Sequence, residues 1–186
     1  MKTASKFMNL PIWIYLLGWI FFVYFFFQIL GYDSLNSNNI LISGLRFIDF
    51  GVHEASHLIV FFLPHIWVAA AGTIGQICFP LLLLFATIKA KAYFASVFVS
   101  LWLMMTLHGV GRYMADAREQ ILPLMGPGEN AQHDWTYIFG ELGLLDKDQI
   151  IGGVVATTGT VIGVLGLGLG VYLIVMKIYL KHYQAH

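Results

Sequence analysis

Residues 10–30 read LPIWIYLLGWIFFVYFFFQIL, an apolar stretch without a charged side chain. A helix needs about 20 consecutive apolar residues to cross the hydrocarbon core of a bilayer, and this stretch meets that length. It is too long for the apolar centre of a secretory signal peptide, and the Gly-Tyr-Asp that follows is not a small-residue cleavage pattern. We therefore expect residues 10–30 to form a retained membrane-spanning helix.

Further apolar stretches continue the pattern, at residues 40–63, 65–88, 92–111 and 150–178. The stretch that begins at residue 92 extends to residue 121 if its helix continues, and Gly72, Gly75 and Pro80 interrupt the one before it. A short helix is predicted at residues 133–145 of the polar loop. We predict an all-α fold: a polytopic membrane helical bundle with four or five spanning segments and one short helix in the polar loop.

The composition supports this fold and excludes some partners. Hydrophobic residues make up 59% of the chain and charged residues 11%, whereas soluble domains carry about a quarter charged residues. The net charge is zero, so the chain lacks the excess of basic residues that is typical of proteins that bind nucleic acid. We expect one integral membrane domain, residues 1–186, surrounded by membrane lipids, and its compact size suggests the inner membrane of a bacterium.

The lysines leave two membrane arrangements open. If five segments span and the N-terminus lies outside, the lysines at 89, 91, 177 and 181 are cytoplasmic, but Lys2 and Lys6 break the positive-inside rule. If the second and third segments together cross only once, with a part that is re-entrant, every lysine cluster lies inside. Re-entrant backbone is tolerated where protein or a water-filled cavity covers it.

The sequence HEASH at residues 53–57 carries the chemical signal. Residues four apart share one helix face, so His53 and His57 can hold one metal ion. A catalytic zinc ion takes three protein ligands and a water, and Glu54 stands where a general base would take the proton of that water. Asp49, on the same face, could accept the spare N–H of a ligand histidine.

Ionisable residues inside a membrane segment are costly and are a functional-site hypothesis by default. We therefore favour a zinc site over a polar helix interface, and we place the core around the motif at about residues 40–145.

The third zinc ligand is predicted to be Asp116 or His133, or both together in a four-coordinate site. Asp116 ends the fourth segment and shares a helical face with His108, a weaker candidate; its alternative role is an ion pair with Arg112 or Arg118. His133 opens the short helix, where its alternative role is that of an interfacial histidine.

The residue beside His133, Asp134, is expected to act as a cap near the start of that helix.

These residues resemble the site-2 protease family of intramembrane zinc metalloproteases, in particular its compact single-domain branch. The resemblance covers about residues 47–117: HEASH in a membrane segment, the Gly-rich apolar helix with residues 69–75, and Ala-Asp-Ala at 115–117. It implies that Asp116 is the third zinc ligand. The chain has no Asn-Pro element ahead of this aspartate, no Leu-Asp-Gly sequence and no PDZ-like insert.

The sequence thus predicts a zinc-dependent membrane metallopeptidase that cleaves a transmembrane protein or peptide in or near the bilayer. Glu54 would deprotonate the metal-bound water, and Arg112 would stabilise the oxyanion or pair with Asp116. One alternative is a membrane metalloenzyme that hydrolyses a lipid ester or amide. Another is a non-catalytic metal-binding membrane protein, although a purely structural zinc site needs no general base.

Overall fold

The computed structural model describes residues 11–32, 39–122 and 133–183. These residues form six α-helices, a short 3-10 helix at Leu145–Lys147, and no strand. The α-helices are α1 (Ile12–Leu30), α2 (Ile40–Ile59), α3 (His65–Lys89), α4 (Tyr93–Ala115), α5 (Asp134–Glu141) and α6 (Asp148–Tyr183). The predicted all-α helical bundle is confirmed.

Four segments of the described chain are long and apolar enough to cross a membrane: α1, α3, α4, and Leu145–Tyr183, which contains α6. The fifth candidate of the sequence, α2, is not among them. It carries Arg46, Asp49 and Glu54 within 20 residues, and such charges oppose burial in hydrocarbon. The lower of the two predicted numbers of spanning segments is therefore the one that the structure supports.

Backbone-to-backbone contact joins α4 and α6, which run antiparallel. A Cβ atom added to Gly152 would lie 2.3 Å from the backbone oxygen of Gly111, so neither position has room for a side chain. Further along the two helices, Gly159 faces Leu107, and Gly166 faces Ser100. Small residues let helices approach closely in lipid, and the glycines of α6 allow this contact with α4.

Helix α1 also packs antiparallel to α6. The indole Nε1 of Trp19 donates to the Leu167 carbonyl at 3.2 Å, and the Lys177 ammonium lies 4.2 Å from the ring centre of Tyr15. The N-terminal end of α1 therefore lies beside the C-terminal end of α6. An apolar cluster joins α1 to α2 and α4 through buried side chains that include Phe25, Ile42 and Leu101.

The polar connections meet at one end of the bundle, here named the α5 end. The His65 ring at the start of α3 lies 4.3 Å from the ring of Tyr137 in α5. Arg118, just after α4, pairs with Asp148 at the start of α6 at 2.7 Å. The turn between α3 and α4 and the C-terminal end of α6 consequently lie at the opposite end.

Helix α2 lies toward the α5 end and does not run the length of the bundle. Asn39, its N-cap, donates to the Gln28 side chain in the last turns of α1. At the other end of α2, Nδ1 of His57 faces the carbonyl of Val68, near the start of α3. Both ends of α2 thus adjoin elements of the α5 end, as expected for a segment that enters and leaves on the same side.

Several predicted boundaries differ from the structure. Helix α3 continues through Pro80 to Lys89 without the predicted interruption, and α2 ends at Ile59 rather than at residue 63. Helix α4 ends at Ala115, between the predicted end at about residue 111 and the longer alternative at residue 121. It does not continue further because the Asp116 carboxylate accepts the N–H groups of the turn that follows it. The short helix Asp134–Glu141 lies inside its predicted range.

The α4–α6 contact predicts opposite effects at two adjacent glycines. Gly152→Ala should lower stability by about 1–3 kcal/mol, because the new methyl group must push α4 away. At Gly153 a Cβ meets nothing within 4 Å, so Gly153→Ala should be neutral or slightly stabilising, since alanine favours helix more than glycine does. Thermal unfolding in detergent would measure both. Equal unfolding temperatures for the two variants would contradict the packing described.

Candidate metal centre

The two motif histidines lie side by side on α2, as their spacing predicts. Their ring centres are 4.7 Å apart. Nε2 of His53 lies 3.1 Å, and Nε2 of His57 3.5 Å, from the same Oδ2 atom of Asp134. One ligand atom from each of these three residues lies within 4.8 Å of the other two, a grouping that could hold a metal ion.

The outer nitrogen of each histidine is held by α3. Nδ1 of His57 lies 2.7 Å from the Val68 carbonyl, which can only accept, so Nδ1 carries the proton and donates it. Nδ1 of His53 lies 3.1 Å from Oε1 of Gln76. These bonds fix the tautomer that leaves both Nε2 lone pairs free toward Asp134, the arrangement typical of metal-binding histidines.

The carboxylate of Asp134 is positioned by Tyr113 of α4. The backbone N–H of Asp134 donates to the Tyr113 hydroxyl oxygen at 3.0 Å, and that hydroxyl lies 3.4 Å from Oδ2 of the same residue. Tyr113 therefore engages both the backbone and the side chain of Asp134. The first residue of α5 is held against α2 although 81 positions separate it from His53.

Gly72 provides the space in front of the two imidazoles. A Cβ atom at this position would lie 2.5 Å from Nε2 of His53 and 2.5 Å from Nε2 of His57. Any side chain here would fill the region into which both nitrogen atoms point. The three donors, two imidazoles and one carboxylate, are among the ligand types that zinc prefers, so the residues present fit such an ion.

Glu54 is the polar residue of the motif that has no assigned partner. Its side chain is half-buried, and within the described ranges of the chain it makes no hydrogen bond or ion pair. It directly follows the ligand candidate His53 in α2. A carboxylate without a fixed partner beside a cluster of metal-type ligands is available to accept a proton.

The structure places neither Asp116 nor His133 with the two motif histidines. Asp116 accepts the backbone N–H groups of Ile121 and Leu122 at 2.9 and 3.0 Å, which ties it to the turn after α4. His133 is the N-cap of α5, where its Nδ1 accepts the N–H of Thr136. The expected roles of two adjacent residues are thus exchanged: His133 caps the helix, and Asp134 faces the histidines.

Asp116 and His133 instead face each other. Nε2 of His133 lies 3.6 Å from Oδ2 of Asp116. Burial lowers the pKa of His133, which favours its neutral form. N-cap preferences favour aspartate over histidine, so the sequence near residue 133 points to Asp134 as the cap, whereas the structure has His133 there.

The other predicted polar contacts also differ. Asp49 does not bond a motif histidine directly; its carboxylate accepts the Trp102 indole N–H at 2.9 Å and the Thr106 hydroxyl at 2.8 Å. Gln76 is the residue that bonds His53, and it also lies within reach of Asp49. Gln76 is not among the predicted site residues, because it belongs to no recognisable sequence motif.

Two further polar residues of α4 contact other elements. Nε2 of His108 lies 2.9 Å from the hydroxyl of Thr160 at the α4–α6 contact, so His108 is not part of the cluster. Arg112 donates to the backbone carbonyl of Tyr32, and in the described residues it forms no ion pair with Asp116.

Comparison of the chain with protein-family models, with curated proteins and with solved structures finds no match. The chemistry proposed for the cluster therefore rests on its own residues.

The geometry predicts which carboxylate is needed for metal binding. Asp134→Asn and His57→Ala should lose zinc from protein purified in detergent, because each removes one of three ligands. Asp116→Asn serves as the matched control, since it changes a nearby carboxylate that faces the turn after α4. Elemental analysis of zinc per chain would measure all three. Zinc retained in Asp134→Asn and lost in Asp116→Asn would contradict the assignment.

Proposed function

We propose that this chain is a zinc-dependent membrane hydrolase that cleaves a peptide bond of a membrane-embedded substrate. One observation carries the proposal: two histidines and an aspartate converge in front of Gly72, and Glu54, which has no bonding partner in the part of the chain that the structure describes, follows His53 in α2. A structural zinc site normally closes all four positions with protein ligands, whereas a catalytic site keeps one open for water. Three ligands and an adjacent carboxylate therefore favour catalysis over a purely structural metal site.

His53, His57 and Asp134 would hold the ion. Bound zinc lowers the pKa of a water molecule to about 7 and polarises a carbonyl group. The hydrogen bonds from Nδ1 of His57 to Val68, and from Nδ1 of His53 to Gln76, keep both rings oriented. Tyr113 orients the carboxylate of Asp134.

Glu54 is the proposed general base. It neighbours a ligand histidine in sequence, and within the described chain it has no partner that would hold its carboxylate elsewhere. Its carboxylate would take a proton from the attacking water and later pass that proton to the leaving amine of the cleaved bond. General acid–base catalysis by a positioned side chain contributes about 10²–10⁴-fold to a rate.

The surroundings of the cluster suggest a substrate that comes from the bilayer. The segment just after His57 is apolar and exposed: Phe61 and Phe62 expose 74% and 72% of their surface, and Trp67 exposes 60%. Such a surface is stable against lipid and unfavourable against water. A helical substrate would need to unwind locally, because the hydrogen bonds of a helix shield its peptide bonds.

The resemblance of the motif to site-2 proteases supports peptide hydrolysis, with one change. The proposal assigns the third ligand to Asp134, although the resemblance implies Asp116. The same lipid-facing segment also suits a lipid ester or amide as substrate, which makes lipid hydrolysis the second candidate function. A compact chain with four membrane-spanning segments is consistent with the inner membrane of a bacterium.

Glu54→Gln should retain zinc and lose hydrolytic activity by about 10²–10⁴-fold, because the amide cannot accept the proton. The assay would use single-span peptides with a Gly-Pro break, reconstituted with the protein in phosphatidylcholine vesicles, and mass spectrometry of both peptide and lipid products. Glu119→Gln, at an exposed glutamate after α4, is the matched control and should keep full activity.

Full activity in Glu54→Gln would exclude the role assigned to Glu54. Cleaved lipid with intact peptide would establish the second candidate function in place of the first.

A further inference from the structure

The charges of the chain are distributed unequally along the bundle. The turn between α3 and α4 contains Lys89 and Lys91, and the last turns of α6 contain Lys177 and Lys181. Two more lysines, at positions 2 and 6, precede α1 in the sequence. No aspartate or glutamate occurs before residue 33, between residues 55 and 115, or after residue 148. The acidic residues thus belong to segments of the α5 end and to α2.

The packing of the helices brings these lysine segments together. Since α4 and α6 run antiparallel, the start of α4 lies beside the end of α6. Since α1 and α6 also run antiparallel, the start of α1 lies there too, as the contact of Tyr15 with Lys177 records. The start of α1, the α3–α4 turn and the end of α6 therefore share the end opposite α5, here named the lysine end.

The number of crossings agrees with this grouping. Four segments of the described residues are long and apolar enough to span, so residues 11 and 183, the first and last that the structure describes, lie on the same side. Helix α2 does not change this parity, because both of its ends adjoin the α5 end. Of the two arrangements that the lysines leave open, the one with a re-entrant segment fits the structure.

Cytoplasmic segments near membrane-spanning helices carry an excess of Lys and Arg. The α5 end carries three basic residues near the ends of the spanning helices: Arg112, Arg118 and Lys147. Arg112 donates to the Tyr32 carbonyl, and Arg118 is tied to the fully buried carboxylate of Asp148 at 2.7 Å. The lysine end carries Lys89, Lys91, Lys177 and Lys181 within the described residues, and Lys2 and Lys6 precede α1 in the sequence.

We infer that the lysine end faces the cytoplasm and that the metal cluster opens toward the extracytoplasmic side. Gly72 is seven residues from the start of α3, and at 1.5 Å per residue the cluster lies about 10 Å below that end of the helix. The cluster is thus within the outer half of a bilayer whose hydrocarbon core is about 30 Å thick.

This orientation narrows the substrate class, a step that rests on the proposed function. The cleaved bond lies in the extracytoplasmic half of a membrane-anchored polypeptide, close to where its anchor leaves the bilayer. A cytoplasmic segment would have to cross most of the membrane to reach Glu54 and the three ligands. The substrate is therefore a chain whose extracytoplasmic border region can unwind at the outer surface.

The orientation is tested by labelling two matched cysteines. In a Cys78→Ser background, Ala90→Cys and Leu142→Cys each place one thiol at an exposed helix C-cap, at the lysine end and the α5 end respectively. Both changes leave every charged residue in place. A membrane-impermeant maleimide applied to intact spheroplasts should label Leu142→Cys fully, and should label Ala90→Cys only after the membrane is permeabilised.

The opposite labelling pattern, or equal labelling of both cysteines before permeabilisation, would overturn the inferred orientation. Labelling requires no activity, so it stands or fails independently of the proposed hydrolysis. Peptide cleavage is then measured in right-side-out membrane vesicles with the impermeant chelator EDTA outside. Cleavage should stop; cleavage that continues while Leu142→Cys is labelled from outside would overturn the inferred route of substrate access.

Discussion

The contact between the backbone of α3 at Gly72 and the two imidazoles of α2 is the constraint on which the rest of the site depends. Because Gly72 has no side chain, α3 comes close enough for the Val68 carbonyl and the Gln76 side chain to bond the outer nitrogens of His57 and His53. The Nε2 atoms of His53 and His57 then point to the side that Asp134 approaches. A larger residue at this position would fill the space in front of the imidazoles and would also push α2 and α3 apart.

The polar residues of α2 are each satisfied by a different neighbour, which explains how an ionisable helix is kept within an apolar bundle. Asp49 is buried and bonds the Trp102 and Thr106 side chains of α4, while His53 bonds α3 and faces α5. Burying an unpaired charge in lipid is costly, so these bonds hold α2 at one position and depth. Glu54 has no hydrogen-bond or ion-pair partner among the described residues, which leaves its carboxylate available for the proposed role of proton acceptor.

Local patterns in the sequence predicted much of the fold and two of the three residues of the cluster. Hydrophobic length located the spanning helices, and the spacing of His53 and His57 placed them on one face, because both features depend on residues close in the chain. The third member depends on the packing of α5 against α3 and α4, which brings Asp134 to the histidines of α2 and which a single sequence does not contain. Which of two neighbouring side chains, His133 or Asp134, faces the histidines is decided by the direction of the chain at the start of α5. Asp116, one of the two ligand candidates from the sequence, ends α4, and that position commits its carboxylate to the following turn.

His53, His57 and Asp134 are proposed to form one zinc site. X-ray absorption spectroscopy of the zinc-loaded protein in detergent would test this proposal, because it reports the donor atoms around the ion. We expect the zinc ion to be surrounded by nitrogen and oxygen donors, with the scattering signature of two imidazoles. It also predicts that this signal is lost in Asp134→Asn and unchanged in His133→Gln. A first shell with three imidazoles, or one that survives Asp134→Asn and is lost in His133→Gln, would contradict it.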